Sequence, residues 1–204
     1  FHPDGNRIYR IVGEAQRSNG EKMFLNSPFS DVAGFQNQIP GFEAKSGYHL
    51  YGGKTIIPVA GKPDKKFNGN QENGGTASIF TGASYFDIFK YQWLAGNAAT
   101  LDAPFKVVLT ENRARQYFGN LPADKIVGKT VIYDDSLKVT VSGIIRDWNQ
   151  HTDFGYTDFI SLRTATHSFL RSRIPTDDWS SLSPHRSQAF VRLSRGTTPE
   201  QVNA

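Results

Sequence analysis

Residues 107–119 read Val-Val-Leu-Thr-Glu-Asn-Arg-Ala-Arg-Gln-Tyr-Phe-Gly, and they predict a buried strand that leads directly into a helix. Thr110 is a suitable N-cap because its hydroxyl can accept a hydrogen bond from the first helical turn. Three apolar residues at positions i, i+3 and i+4 share one face of the helix: Ala114, Tyr117 and Phe118. Gly119 suits the left-handed position that ends many helices. The segment therefore predicts a helix over 111–118 that packs on a sheet.

A long strand signal follows this helix at residues 137–145. Polar and apolar side chains alternate there, which is typical of a strand with one buried face. We expect the buried face to hold Leu137, Val139, Val141 and Ile145, with Lys138, Thr140 and Ser142 opposite. The run 129–133 and the polar turn 134–136 complete a predicted hairpin.

The rest of the chain mixes strands and helices without an internal repeat. Predicted strands are 7–12 and 23–25 as a hairpin, 42–60 as paired strands, 76–81 and 188–193. Predicted helices are 27–40, 84–91, a short one within 164–185, and one that starts at Thr198, with Pro199 at its first position and Gln201 placed for a capping box. Residues 61–75 form a polar loop rich in glycine and asparagine. This order predicts the α+β fold class.

Composition excludes several classes of protein. The chain has 204 residues with 38% hydrophobic and 13% aromatic content, which is enough to bury a core. No apolar run approaches the roughly 20 residues that a membrane-spanning helix needs. Without cysteine, the chain has no disulfides, thiolate catalysis or cysteine metal sites. The 23 basic residues only modestly exceed the 19 acidic ones and form no concentrated patch, so we expect no nucleic-acid partner.

The strongest candidate for catalysis is the segment around His151. Asp147, Asp153 and Asp158 place carboxylates near it, and such groups perform acid–base and metal chemistry. A zinc site usually supplies three or four ligands at defined spacing, and a single histidine does not meet that requirement. We therefore interpret the segment as a solvated loop and predict no catalytic, cofactor-binding or metal-binding residues. A small secreted or periplasmic hydrolase that uses Asp147, His151 and Asp153 is the alternative.

Other polar residues carry no recognisable catalytic motif. The remaining histidines are far apart in sequence: His2, His49, His167 and His185. Three serines lack the Gly-x-Ser-x-Gly setting of a nucleophile and are expected in polar or capping roles: Ser84, Ser161 and Ser168. The glycine pairs at 52–53 and 74–75 lack the spacing of a phosphate-binding loop. The chain itself is therefore not expected to bind ATP.

Aromatic residues fall into two groups. The first has helical spacing, which favours core packing: Tyr85, Phe86, Phe89, Tyr91 and Trp93. The second lies in a polar segment after the long strand: Trp148, Phe154 and Tyr156. Exposed aromatics in such a place often mark contact with a partner. We predict a packing role for the first group and keep a contact surface open for the second.

Six short motifs in order resemble the MacB-like periplasmic core domain of ABC transporter permeases, a family that includes FtsX-like and lipoprotein-releasing permeases. They span nearly the whole chain: Asn6 to Arg10, Tyr85 to Gly96, Val108 to Gly119, Ile126 to Lys129 with Val141 to Asp147, His151 to Leu162, and Val191 to Leu193 with Thr198 to Glu200. The resemblance implies a porter-like α/β sandwich unit at 1–75 and 184–204. A smaller, Sabre-like α/β unit at 76–183 is implied as an insertion.

The same resemblance implies a non-catalytic periplasmic domain of an inner-membrane permease. Such a domain couples ATP hydrolysis in the cytoplasm to periplasmic movement, for export or for signalling. The implied partners are a cytoplasmic ABC ATPase, a second permease copy or half, and a periplasmic adaptor or cell-wall hydrolase. No cofactor is implied.

The ends of the sequence fit a piece of a longer chain. It starts at Phe1 instead of Met, and it stops just after a helix start. The resemblance implies transmembrane helices on both sides. We expect the isolated domain to be a monomer, and two copies in the full transporter to move against each other as rigid units, stabilised by the apolar face of helix 111–118. A stand-alone periplasmic ligand-binding module, with a groove lined by exposed aromatics, is a further alternative.

Overall fold

A computed structural model describes residues 4–26, 40–68, 78–148, 154–174 and 186–202. The strands are β1 (Ile8–Gln16), β2 (Lys22–Asn26), β3 (Phe42–Tyr51), β4 (Thr55–Ile57), β5 (Lys65–Phe67), β6 (Ser78–Thr81), β7 (Trp93–Ala95), β8 (Lys106–Thr110), β9 (Thr130–Tyr133), β10 (Leu137–Ile145), β11 (Asp158–Ser161) and β12 (Ser187–Leu193). The α-helices are α1 (Ser84–Ile88), α2 (Glu111–Phe118), α3 (Ala123–Ile126), α4 (Arg163–Thr166) and α5 (Pro199–Val202). Within these residues, no helix is long and apolar enough to span a bilayer.

The strands form one sheet in the order β2-β1-β12-β3-β6-β11-β8-β10-β9-β4-β5, with β7 also paired to β10. Two pairs are parallel, β8 with β10 and β6 with β11, and the other pairs are antiparallel. A mixed sheet with a few short helices confirms the predicted α+β class.

The sheet coils until distant strands face each other. Four strands lie between β3 and β9 in the sheet order, which would separate them by roughly 24 Å in a flat sheet. Yet the rings of Tyr51 and Tyr133 lie 6.0 Å apart. The Tyr51 hydroxyl also donates a hydrogen bond of 2.6 Å to Asp134 Oδ2, and the Lys54 backbone N–H donates to Asp134 Oδ1 at 3.0 Å. These contacts close the coil.

Each face of the sheet has its own apolar core. The inner core includes Val107, Leu109 and Ile160, and the outer core includes Val108 and Phe159. Neighbouring residues of β8 and β11 therefore alternate between the two cores, as the two-residue period of a strand requires. Strands that are buried on both faces explain the nearly continuous apolar runs in this part of the sequence.

Helix α2 forms where the sequence predicts it. Thr110 Oγ1 accepts a hydrogen bond from the Arg113 N–H at 3.4 Å, and Gly119 has a φ of 78° at the C-terminal end. Ala114 and Tyr117 are buried in the inner core. Phe118, predicted on the same face, is only half-buried at the edge of that core.

The two predicted hairpins are also confirmed. In the first, Gln16 pairs with Lys22, and in the second, Tyr133 pairs with Leu137. The predicted face of β10 is wrong at its end, because Ile144 joins the inner core and Ile145 the outer one. The pairing of β10 with β8 shifts register between Val141 and Gly143. Such a bulge reverses the in–out alternation after it.

Several other predictions need correction. The two strands within 42–60 are not partners of each other, since β3 pairs with β12 and β6, while β4 pairs with β9 and β5. Helix α1 ends at Ile88, earlier than predicted, and β5 lies inside the predicted loop 61–75. The predicted helix 27–40 lies outside the described residues except for its last position, as do residues 69–75 and 175–185. One of the two hydrogen bonds of the predicted capping box at α5 is present, with the Thr198 N–H donating to Gln201 Oε1 at 2.9 Å.

The boundaries between the porter-like and Sabre-like units, near residues 75 and 184, stay a prediction. Residues from both predicted units share one sheet, because β6 pairs with β3. The β4–β5 hairpin lies at the far end of that sheet and pairs with β9.

Candidate functional site

Asp147, the first candidate catalytic residue, lies just after β10 and caps a helix. Its Oδ2 accepts a hydrogen bond of 2.8 Å from the backbone N–H of Asn112, in the first turn of α2. Early N–H groups of a helix lack partners within the helix, and negative charge is favourable there. Asp147 therefore has a structural role, as a cap of α2. His151 and Asp153 lie outside the described residues.

Asp158 is fully buried in the centre of a hydrogen-bond network. Its Oδ1 accepts from Thr157 Oγ1 at 2.8 Å and lies 3.1 Å from Arg113 Nε. Its Oδ2 accepts from the hydroxyls of Tyr117 and Tyr133 at 2.8 and 2.6 Å. Burial raises the pKa of both tyrosines, so they remain hydrogen donors at neutral pH. The network links α2, β9 and β11, and both oxygens of the carboxylate take part in it.

The described histidines also have local roles. His49 on β3 is 6% exposed, and its Nδ1 lies 2.8 Å from the hydroxyl of Ser187, opposite it on β12. Burial and the nearby charge of Arg186 lower the pKa of His49 to about 4. His167 contacts the carbonyl of Arg163 in the preceding turn. Among the described residues no three histidine or carboxylate side chains are grouped to hold a metal ion, and His2 and His185 fall outside them.

The three serines take polar and capping roles, as the sequence predicts. Ser84 donates to the Ser46 hydroxyl at 3.0 Å, and Ser161 donates to the Leu101 carbonyl at 2.6 Å. Ser168 caps the short 3₁₀ turn that follows it.

The aromatic groups pack together on the outer face of the sheet. From the first group, Tyr85, Phe86 and Phe89 are buried, while Tyr91 and Trp93 are half-buried against them. The second group is not a fully exposed surface, since its members are half-buried. They pack inward as follows: Trp148 on Tyr91, Phe154 on Phe89 and Phe190, and Tyr156 on Tyr48, with a hydroxyl contact of 2.6 Å.

A cleft of about 140 Å³ lies beside the loop between α2 and α3. Ala114, Ile126 and Ile144 line it, and Leu121, which is 44% exposed, stands at its edge. Among the described residues that line it, none is aromatic. It is therefore not the aromatic groove that a stand-alone binding module would need.

The two ends of the described chain meet at one corner of the sheet. Ile8 at the start of β1 pairs with Arg192 near the end of β12. Because the two strands are adjacent and antiparallel, the segments before β1 and after β12 leave the sheet side by side.

Four charged residues surround this corner, and we call them the chain-end cluster: Asp4, Arg7, Glu43 and Arg192. Arg7 lies 2.9 Å from Asp4 and donates to Glu43 Oε2 at 2.5 Å. Arg192 donates to Glu43 Oε1 at 3.1 Å and to the backbone carbonyl of Asp87, the fourth residue of α1. The cluster therefore joins the chain ends to β3 and α1.

The sequence contains no short-range signal for this cluster. Arg7 and Arg192 come together only because β1 pairs with β12, and no local periodicity reveals that pairing. The sole sequence indication is that two strands of similar length occupy the two ends of the chain.

Comparison with known proteins shows which family the chain matches. A family model described as the MacB-like periplasmic core domain matches residues 2–204. A search of curated proteins finds no match.

Three solved structures share the fold at low sequence identity. A domain of a putative permease protein from Porphyromonas gingivalis has a TM-score of 0.74 at 20% identity, covering 98% of this chain and 78% of that chain. The periplasmic region of MacB from Actinobacillus actinomycetemcomitans gives 0.63 at 17%, covering 96% and 78%. The extracellular domain of the noncanonic ABC-type transporter YknZ from Gram-positive bacteria gives 0.58 at 13%, covering 96% and 87%.

The family model spans all of the chain except its first residue, and it agrees with the motifs that the sequence carries. The chain therefore belongs to the family of MacB-like periplasmic core domains, the periplasmic part of inner-membrane ABC transporter permeases that work with a cytoplasmic ATPase.

Proposed function

We propose that this domain is a non-catalytic mechanical element. It passes movement produced by the cytoplasmic ATPase, through the membrane part of the permease, to the periplasm for export or signalling. Two permease copies, or two halves, move their periplasmic domains against each other. A periplasmic adaptor or a cell-wall hydrolase receives that movement, and the isolated domain is a monomer.

The observation that carries this proposal is the position of the chain ends. They leave the sheet side by side at Ile8 and Arg192. Two flanking segments attached near there would act on this corner of the sheet. The chain-end cluster ties the corner to β3 and α1.

A second support is the continuity of the body. All twelve strands in the described part of the chain belong to one coiled sheet with an apolar core on each face. Protein interiors are closely packed and transmit strain without deforming continuously. Such a body suits movement as one unit, with porter-like segments 1–75 and 184–204 and the Sabre-like segment 76–183 as its proposed subdivision.

The absence of catalysis belongs to the same proposal. Asp147 caps α2, and the Asp158 carboxylate accepts three hydrogen bonds and is paired with Arg113. Neither is available as a free acid or base, which removes support from the hydrolase alternative.

A distance measurement between two permease copies tests the movement. The chain lacks cysteine, so a spin label can be placed on Lys125→Cys, whose side chain is 71% exposed. Electron paramagnetic resonance then compares the full permease and its ATPase without nucleotide and with ATP bound. We expect the distance between the two labels to change with ATP.

The control uses assemblies in which one copy carries both labels, Lys125→Cys and Lys22→Cys, the latter at a 66% exposed side chain. This internal distance should stay constant between the two states. The proposal fails if the distance between copies does not respond to ATP, or if the internal distance changes by as much.

A further inference from the structure

We propose that Glu43 is the coupling residue that makes the two chain ends of this domain act as one unit, because its carboxylate joins Arg7 before β1 to Arg192 on β12. The inference rests on the proposed mechanical function, for which it names the residue that holds the moving corner together.

Each carboxylate oxygen of Glu43 accepts a hydrogen bond from a different arginine, one just before β1 and one on β12. Oε2 accepts from Arg7 Nη1 at 2.5 Å, and Oε1 accepts from Arg192 Nη2 at 3.1 Å. In the sheet, β12 lies between β1 and β3, so Arg7 reaches across the end of β12 to meet Glu43. On the way its Nη1 also donates to the carbonyl of Leu193 at 2.6 Å. The hydrogen bond from Arg7 lowers the pKa of Glu43, which keeps the carboxylate charged at neutral pH.

Arg192 depends on Glu43 more than a surface arginine would. Its side chain is 9% exposed, and its Nε is buried without a hydrogen-bond partner among the described residues. The guanidinium is held by Glu43 and by the carbonyl of Asp87 at α1. Since a buried cation is costly without an anionic partner, loss of the Glu43 charge would loosen both β12 and its contact with α1.

The cluster lies at the point where separation of the ends would begin. Because β1 and β12 are antiparallel neighbours, a force that parts the ends acts first on the pair Ile8–Arg192 and only later on the pair Ile11–Ala189. Apolar packing of β1 is partial: Ile8 packs against the outer core, while Tyr9 is 38% exposed and Val12 is 42% exposed. The ionic link through Glu43 therefore adds to the backbone pairing and to the hydrogen bond from Arg7 to the Leu193 carbonyl at this first pair.

Amide hydrogen exchange on the 204-residue chain tests the coupling. The variants are Arg7→Met, Arg192→Met and the double variant, each prepared with Glu43 and with Glu43→Gln. With Glu43 present, we expect each single arginine change to lower protection about tenfold in both β1 and β12. In the Glu43→Gln background, adding Arg7→Met should lower protection in β12 at least twofold less than it does with Glu43 present, because only the hydrogen bond to the Leu193 carbonyl is then lost.

A matched control removes a different ion pair of β1, near the turn of the β1–β2 hairpin. Lys22→Met breaks the exposed contact between Lys22 and Glu14, at 2.8 Å on the β1–β2 hairpin, and should leave β12 unaffected. The inference is overturned if Arg7→Met lowers protection in β1 alone. It is also overturned if Arg7→Met and Arg192→Met are coupled as strongly in the Glu43→Gln background as with Glu43 present. Glu43→Gln is used for this comparison because it removes the charge with little change in side-chain volume.

The full permease separates this inference from the function on which it rests. With Glu43→Gln, we expect ATP hydrolysis to continue while the ATP-dependent change in the distance between copies shrinks at least twofold. An unchanged distance response in Glu43→Gln overturns the role of Glu43, although the mechanical function stands. If the unmodified permease shows no distance response while the exchange coupling is present, the mechanical function fails and the structural coupling through Glu43 stands.

Discussion

Replacing Asp158 by asparagine removes one negative charge from the centre of the inner core with almost no change in side-chain volume. The carboxylate is fully buried, accepts hydrogen bonds from Thr157, Tyr117 and Tyr133, and forms an ion pair with Arg113. Asparagine has one acceptor oxygen, and the guanidinium of Arg113 cannot accept a hydrogen bond. The amide nitrogen must therefore face the two tyrosine hydroxyls, which lose their charged acceptor.

The expected loss can be worked from this geometry. A hydrogen bond to a charged group contributes about 1.5–3 kcal/mol, compared with about 0.5–1.5 kcal/mol for a neutral one. Breaking a buried ion pair by removing one partner costs about 3–5 kcal/mol. The Arg113 side chain is 19% exposed and can regain some water, so we expect about 3 kcal/mol, at the lower end of that range. For a chain of this size, Tm should fall by about 6–12 °C.

Urea unfolding followed by circular dichroism measures this loss. The slope of the free energy of unfolding against urea concentration should be the same in both proteins, because the same surface is exposed on unfolding. The matched control is Asp124→Asn, at a side chain that is 71% exposed, which should change stability by less than about 0.5 kcal/mol. If Asp158→Asn is as mild as this control, the network does not stabilise the link between α2, β9 and β11.

Three further outcomes can be measured on the isolated chain. The pKa of His49 is about 4 in the fold, so the unfolded chain binds more protons than the folded one between about pH 6.5 and 4. The free energy of unfolding should therefore fall by about 3 kcal/mol as the pH is lowered from about 6.5 to about 4. In urea titrations, His49→Gln should abolish this part of the pH dependence. A Cβ on Gly53 would lie 2.7 Å from Asp134 Oδ1, so Gly53→Ala should lower the free energy of unfolding by about 1–3 kcal/mol and oppose closure of the coil. Asp135 has a φ of 60°, and its carboxylate pairs with Lys54 Nζ at 3.2 Å. Asp135→Gly should therefore give a higher Tm than Lys54→Met, which removes the same ion pair, by relieving about 0.5–1 kcal/mol of backbone strain; an equal or lower Tm would contradict this.

Local chemistry made much of the fold predictable. Helix α2 has a cap at Thr110 and a glycine at its end, and the β9–β10 hairpin has a polar turn between two apolar runs. Each signal lies within about ten residues, where periodicity and turn residues are informative. The correct prediction of the aromatic group at 85–93 as core has the same origin.

Long-range pairing was beyond those signals. Strand β4 follows β3 closely in sequence but pairs with β9, because the sheet coils and brings its distant strands together. Asp147 looked like a catalytic candidate until the fold placed it beside the first turn of α2. A polar residue next to an apolar run has the same pattern whether it caps a helix, fills a buried network or performs chemistry. Only the three-dimensional structure distinguishes these roles.

The pairing of Ile8 with Arg192 also constrains how the domain acquires its structure. Contacts between residues so far apart in the chain are slow to form. A long loop must close, with a loss of conformational entropy, before these contacts contribute any stabilising free energy. As the polypeptide emerges from its N-terminus onward, the edge of β1 that will meet β12 stays open until nearly the entire domain has appeared. During that interval the exposed strand edge is a hazard for aggregation. Maturation of this domain should therefore depend on the speed of its export and on holding chaperones more than its final stability would indicate.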